Sequence, residues 1–532
     1  MRLGALLLFV SGLIALSGCA DRTAEAAEAA ALANVQLEAG SFSEAKQNIQ
    51  RAIILRDDVA EYFIILGRIE LAAGEPSGAF NAYSRALDLQ ADNIEVLQNI
   101  AELGLATDRL SEADEAATRI LLLFPGSTRA MLVKGFIAID KGQLDVARKF
   151  ADDILAINGA DVGGAILSAR VSAVQGRFDD AIFEIQRARG AAAEAEALDA
   201  TLLEIYRAQG NVAGLRQVFP AVVVAAAKGS AQYQLDYINF LYKTGAVATA
   251  RAEALKSVAS APNDIGVLTG LTRLYHEYDR QPLAPDQIER LSEAGTRISQ
   301  IALARFYLDT DQLDVALRII RRSLAEDVLE AKALASRVIL AMGNARQAER
   351  AAQEVLDLDP RNPDALLTRS AIRLAKGEVD RSLEDANIVV SDAPQEYAGY
   401  VALANAQLAQ GSKIRARQVF EKGIDALPQS ALLAAEYSAF LRRIGEPVRL
   451  VSLYGDLIAA APSSRAAAQS YLAVCAEIGD EVCRMKAERA LYNANRSFVI
   501  DDLPGTPRNR GLFSRITPEQ ICRATGGVCT GS

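Results

Sequence analysis

A single histidine, His276, stands in a chain of 532 residues. A metal ligand or general base there would have no second imidazole and no neighbouring cysteine to work with, and the residue reads as an exposed helix position. No Cys-x-x-Cys, no phosphate-cradling glycine loop and no Gly-x-Ser-x-Gly elbow occurs. Asp357, Asp359 and Asn362 have calcium-loop spacing, but the run lacks the glycine and the closing glutamate that such a loop needs. The expectation is a non-enzymatic chain with no cofactor, no metal and no small-molecule substrate. Positive charge is also short. A net charge of −10 and a pI near 5.1 argue against a nucleic-acid surface, which needs clustered cations facing phosphates. One apolar run, Leu3 to Leu16, stands out at the start, and it is too short to span a bilayer comfortably.

What the chain does have is phase. Gly343, Gly377, Gly411, Gly445 and Gly479 follow one another at steps of 34 residues, and Pro360, Pro394, Pro428 and Pro462 keep the same step at an offset of 17. Glycine permits the left-handed backbone that ends a helix, and proline cannot continue one. Each period therefore reads as helix, tight turn, helix, stop. Gly40, Gly74, Asp108, Gly142, Gly176 and Gly210 continue the register in the first half, and Gly245 follows after 35 residues. In the segment Tyr397 to Ser430, small Ala404 and Ala416 face one another across the turn, while Leu403, Leu408, Val419 and Phe420 supply helical apolar spacing. The unit is an αα-hairpin.

Leu403, Ala404, Gly411, Ala416, Phe420, Gly423 and Pro428 occupy the large, small and breaker positions of a 34-residue unit that resembles the tetratricopeptide repeat. Tyr400 and Gln407 replace that family's early Trp and helix-A Tyr. The resemblance covers about residues 24–493. It implies an all-α fold, an α-solenoid of about 14 stacked hairpins forming a right-handed superhelix, with the first helix of each pair (helix A) lining a concave face that binds protein segments. The family's second, fifth, ninth and twelfth helix-A positions put Ile64, Arg68, Leu71, Leu132, Phe136, Ile139, Ile166, Arg170, Leu235, Asn239, Tyr242, Ile301, Arg305, Leu308, Arg337 and Leu340 on that face. Arginines spaced along an apolar column predict an acidic extended or amphipathic protein partner. Asn405 matches the family's chaperone-tail groove, but Val401 stands where its Lys is needed.

The ends differ from the array. Arg2, the apolar run and Leu16-Ser17-Gly18-Cys19 read as a secretory signal, residues 1–18, and the ending resembles a bacterial lipobox. It implies cleavage before Cys19, lipidation of that cysteine and a membrane anchor. Residues 19–23 are then a lipidated tether. Ala20, rather than Asp, after the cysteine favours the outer membrane of a Gram-negative cell, facing the periplasm. Arrays are expected over 24–278 and 297–494, separated by an irregular repeat or hinge at 279–296, where Pro282 and Pro285 interrupt the pattern and the next turns, Asp311 and Gly343, are 32 apart. The tail 495–532 holds Pro504, Gly505, Pro507 and Gly511, then a capping-box pattern at Thr517-Pro518-Glu519-Gln520. Cys475, Cys483, Cys522 and Cys529 allow three pairings. Local closure of Cys475 with Cys483, and of Cys522 with Cys529, is the expectation. Two functions stay open: a scaffold that holds proteins of an envelope assembly such as a polysaccharide exporter, a pilus or a secretion channel, and a subunit or regulator of a cell-envelope enzyme such as a peptidoglycan-modifying complex.

Overall fold

The computed structural model describes residues 22–191, 196–226 and 231–498; Cys19, Cys522, Cys529 and the tail beyond Phe498 lie outside them. Among the described residues there are 29 helices and no strand, arranged as 14 consecutive hairpins. Within each unit most helices pack on the next, and in several places, as with Thr128–Asp140 and Val162–Val174 or Pro363–Ala375 and Tyr397–Ala409, helix A of one hairpin packs on helix A of the following one. This is the all-α solenoid that the periodicity predicts.

The turn residues explain the hairpins. Gly40, Gly74, Gly142, Gly176, Gly210, Gly245, Gly343, Gly377, Gly411, Gly445 and Gly479 all have positive φ, and so do Asp108 at +68° and Asp311 at +61°. A Cβ added at Gly411 would meet nothing within 4 Å, so backbone conformation alone selects glycine there. At Gly423 the reason is different. An added Cβ would come within 2.9 Å of Leu433 and Tyr400, because the second helix of the hairpin (helix B) passes that close to its neighbours.

A further phased mark sets where helix A begins. Asn93, Ser127 and Asp161, and later Asn362, Ser430 and Ser464, accept a hydrogen bond from the backbone N–H three residues on. Such a cap contributes about 1 kcal/mol. Glu396 holds the equivalent position and accepts from Ala398. Helix A is then buried nearly all round, as in Val162–Val174, while helix B buries one stripe, as in Ala345–Leu358 with Ala348, Ala352, Val355 and Leu356. Sandwiching explains the difference: helix A touches its own partner and both neighbouring hairpins.

The chain divides between residues 228 and 229 into two compact units. The first carries six hairpins and the second eight. The proline-rich segment at 279–296 lies inside the second unit and is held from several directions. Asp279 accepts two hydrogen bonds from Arg251, at 2.6 and 2.8 Å, and one from Tyr242 at 3.2 Å. Leu283 is buried, and Gln312 donates to the Arg280 carbonyl at 2.6 Å. Beyond it, the 32-residue spacing between Asp311 and Gly343 has a visible cost. Helix B of that hairpin breaks into Leu313–Ile319 and Arg321–Ala325 at Ile320, and the next turn is forced through Asp327 at φ +62°.

The last hairpin is stapled by a disulfide between Cys475 and Cys483, with Cα atoms 5.3 Å apart. Of the two local pairings expected, this one is formed, and the pair Cys522 and Cys529 lies outside the described residues.

Candidate partner-binding surface

Most of the expected groove side chains are covered. Ile64, Leu132, Phe136, Ile139, Ile166, Arg170, Leu235, Asn239 and Tyr242 are buried, whereas Arg68, Leu71, Ile301, Arg305, Leu308, Arg337 and Leu340 are half-buried. Phe136 and Arg170 face each other, with the guanidinium carbon 5.4 Å from the ring centroid. Exchanging either one disturbs packing.

The two arginines expected on the inner face of the second unit, Arg305 and Arg337, are already paired. Arg305 donates to both carboxylate oxygens of Asp364, at 2.8 and 3.2 Å, and also to Glu396. Arg337 donates to Asp364 at 2.8 Å and lies 3.7 Å from Glu396. Burial alone would raise the Asp364 carboxyl, yet Arg305 and Arg337 outweigh it and hold the group below the usual carboxylate range. Four successive A helices are thereby joined through one ion cluster on their inner face. Removing one member would leave an uncompensated buried charge, a cost of about 3–5 kcal/mol. These guanidinium groups are spent on the protein itself.

Asp309 extends the cluster. Its Oδ1 accepts a hydrogen bond from the Tyr397 hydroxyl at 2.9 Å, and burial pushes its carboxyl up to about 6. His276, expected as an exposed helix position, is instead half-buried with its ring 4.8 Å from that of Phe306. Burial, then the nearby Arg280, lowers its imidazole to about 4. At neutral pH it is uncharged, so its 3.8 Å approach to Asp309 is not an ion pair.

The first unit treats its charges in the same way. Arg129 donates to Glu102 at 2.7 Å, and Arg207 to Glu204 at 2.6 Å. Arg68 also pairs with Glu95, but over a third of its side chain remains exposed, and Leu71 is half-buried beside it on the helix. These carboxylates were findable from sequence. The count that places arginines at the ninth helix-A position also places Glu102 and Glu204 there, and Asp364 at the second.

A set of contacts within the second unit links its first hairpins to its last. Lys243 donates to the carbonyls of Ser463, Ala494 and Ser497, at 2.8, 2.8 and 2.7 Å. The Glu277 carboxylate accepts from the backbone N–H groups of Arg465 and Ala466 at the start of helix Arg465–Ile478. Arg273 donates to Gln429 at 2.8 Å, and the Phe240 and Phe498 rings meet edge-on at 5.3 Å. Each end uses a helix terminus: cations suit the C-terminal carbonyls and anions the N-terminal amides. The eight hairpins close on themselves. Nothing in the 34-residue phase announces this, because the partners are up to 254 residues apart.

Among the described residues no group of three or more His, Cys, Asp or Glu side chains is placed to hold a metal ion, and no helix is long and apolar enough to cross a membrane. No curated protein matches the chain. Solved structures with local likeness include the type IV pilus biogenesis factor PilW, 18% identical over 37% of this chain and 92% of that one, TM-score 0.32. A tetratricopeptide repeat protein from Parabacteroides merdae is 17% identical over 46% and 97%, TM-score 0.38. The Naa15/Naa10 complex bound to HypK-THB is 14% identical over 89% and 75%, TM-score 0.34. At such scores these carry nothing beyond the likeness itself. The family model for the tetratricopeptide repeat matches residues 30–94, 334–396 and 372–431. Those stretches fall in both units and coincide with the helix, turn, helix periods described above, so along them the chain matches the tetratricopeptide repeat.

Proposed function

We propose that the protein is a non-enzymatic scaffold that binds other proteins along the inner faces of its hairpins, anchored by lipid at Cys19 to the outer membrane and facing the periplasm. The observation that carries the reading is the run of 14 hairpins. One hairpin cannot bury its own apolar stripe, so hairpins stack, and stacking produces long helix-A surfaces. The Leu16-Ser17-Gly18-Cys19 ending supports the anchor, and the Cys475–Cys483 disulfide supports an oxidising compartment. The partners would be proteins of an envelope assembly, of the polysaccharide-export, pilus or secretion type. Of the first-unit side chains expected on the inner face, Arg68 and Leu71 keep surface to offer, so an acidic and apolar segment fits there.

The test is affinity capture from detergent-solubilised membranes with wild type, Arg68→Glu with Leu71→Asp, and Cys19→Ser. A defined set of envelope proteins should co-purify with wild type and be lost from the double variant while its melting stays near wild type. Cys19→Ser should lose acyl label and leave the outer-membrane fraction. Undiminished capture by the folded double variant moves the site, and wild-type protein without acyl label overturns the anchor.

A further inference from the structure

The broken helix opens a cleft. Between Leu313–Ala325, the next helix A (Leu329–Ala341) and its helix B (Ala345–Leu358), a cavity of about 550 Å³ is lined by Leu317, Leu324, Ala335, Ile339, Met342 and Ala351. That is the size of a ligand pocket. The origin is local. This hairpin is two residues short, its helix B bends at Ile320 (φ −90°, ψ 7°), and the shortened turn Glu326–Val328 carries Asp327 in the left-handed region.

We infer that this cleft docks an amphipathic helix of a partner protein, with two or three large apolar side chains inserted and a Lys or Arg beside them. Three features decide the ligand's chemistry. First, the walls are helices whose backbone groups are used internally. An extended peptide would leave most of its own N–H and C=O groups unpaired, because the two amide side chains of the lining, Asn344 and Gln347, bond to each other, whereas a helix satisfies them itself. Second, the floor runs along one stripe, from Ala335 through Ile339 to Met342, and along another, from Gln347 through Ala351 to Glu354. Each stripe runs about two turns, or about 10 Å, which a short helical segment covers. Third, two charged residues line the cleft. Lys332 is paired with Asp327, while the exposed Glu354 has no ion pair or hydrogen bond among the described residues. The uncommitted charge is negative, so the complementary ligand group is a cation. This surface is separate from the inner-face ion cluster, and it stands or falls independently of the groove reading.

The probe is a fluorescein-labelled helical peptide of about 11 residues, with leucines along one face and either Lys or Glu flanking them, titrated against the full chain by fluorescence anisotropy. Saturable binding is expected, several-fold tighter for the Lys peptide. Glu354→Lys, a surface exchange that leaves packing untouched, should reverse the preference between the two peptides. Ala351→Trp should fill the cleft and abolish binding of both, with melting recorded to show that the variant is folded. Absence of saturable binding by the Lys peptide, equal binding of the two peptides, or unchanged binding to both variants would overturn the proposal.

Discussion

Lys243 and Ala494 are 251 positions apart in sequence, and the ammonium of one donates to the carbonyl of the other at 2.8 Å. Because Ala494 lies in the last turn of helix Glu481–Arg496, the cation sits where the helix dipole favours it. The same ammonium reaches Ser463 and Ser497, so one side chain ties the end of the eight-hairpin unit to its beginning.

Lys243→Met should therefore loosen that end specifically. Loss of charged hydrogen bonds of this kind is worth about 1.5–3 kcal/mol. Hydrogen exchange should quicken in helix Glu481–Arg496 while the helices of the central hairpins, such as Pro363–Ala375, keep their protection. Uniform change across the unit, or none, would show that the contact does not hold the end.

The disulfide acts on the same hairpin. With Cys475 and Cys483 eight residues apart, the loop-closure model gives about 2–3 kcal/mol. Non-reducing peptide mapping of the purified protein should return the Cys475–Cys483 pair. Replacing both with Ser should lower the melting temperature, and reductant should then have no further effect through this pair.

Asp309 and His276 should give the second unit opposing responses to pH. The Asp309 carboxyl titrates near 6 in the fold against 3.8 for an ordinary Asp, so its contribution to stability is fully present below about pH 4 and is lost as pH rises to 6. His276 is lowered from 6.5 to about 4, so its contribution is present above about pH 6.5 and is lost as pH falls to 4. Asp309→Asn keeps an acceptor for Tyr397 and removes the buried charge. It should stabilise the protein by about 2 kcal/mol at pH 8 and by almost nothing at pH 4. Denaturant titrations at the two pH values decide it, and equal destabilisation at both would refute the assignment.

Two glycines separate two physical causes. Gly411→Ala meets no atom but must hold a positive φ, at a cost of about 1–2 kcal/mol, and Gly411→Asn should recover part of that because Asn tolerates the conformation. Gly423→Ala has ordinary helical backbone but strikes Tyr400 and Leu433, an overpacking cost of about 1–3 kcal/mol that smaller side chains at those two positions should relieve. Melting of the single and combined variants distinguishes the two. Rescue of Gly411→Ala by trimming neighbouring side chains would contradict the backbone account.

The hairpins were legible because breakers act locally: a glycine at a helix end and a proline 17 residues on need no tertiary partner to be read, and Asp108 and Asp311 kept the register where glycine was absent. Shortening between Asp311 and Gly343 was also visible, though its outcome, a bend at Ile320, was not. The inner face was legible in position but not in state. Arg305 and Arg337 were placed on it, but their partners Asp364 and Glu396 sit on other hairpins, up to 91 residues away, and only packing brings them together. Pro282 and Pro285 look like a break, but Arg251, Tyr242 and Gln312 hold the segment from both sides.

An open array of repeats behaves as a one-dimensional chain in which an end can fray and refold without consulting the rest. Closing the second unit through Lys243 and Glu277 removes that freedom: neither terminal hairpin can melt alone without breaking contacts that the opposite end also needs. Unfolding of this unit should then be more nearly all-or-none than its repeat architecture implies. Its refolding should be slower than neighbour-to-neighbour growth allows, because the final step joins residues separated by most of the unit.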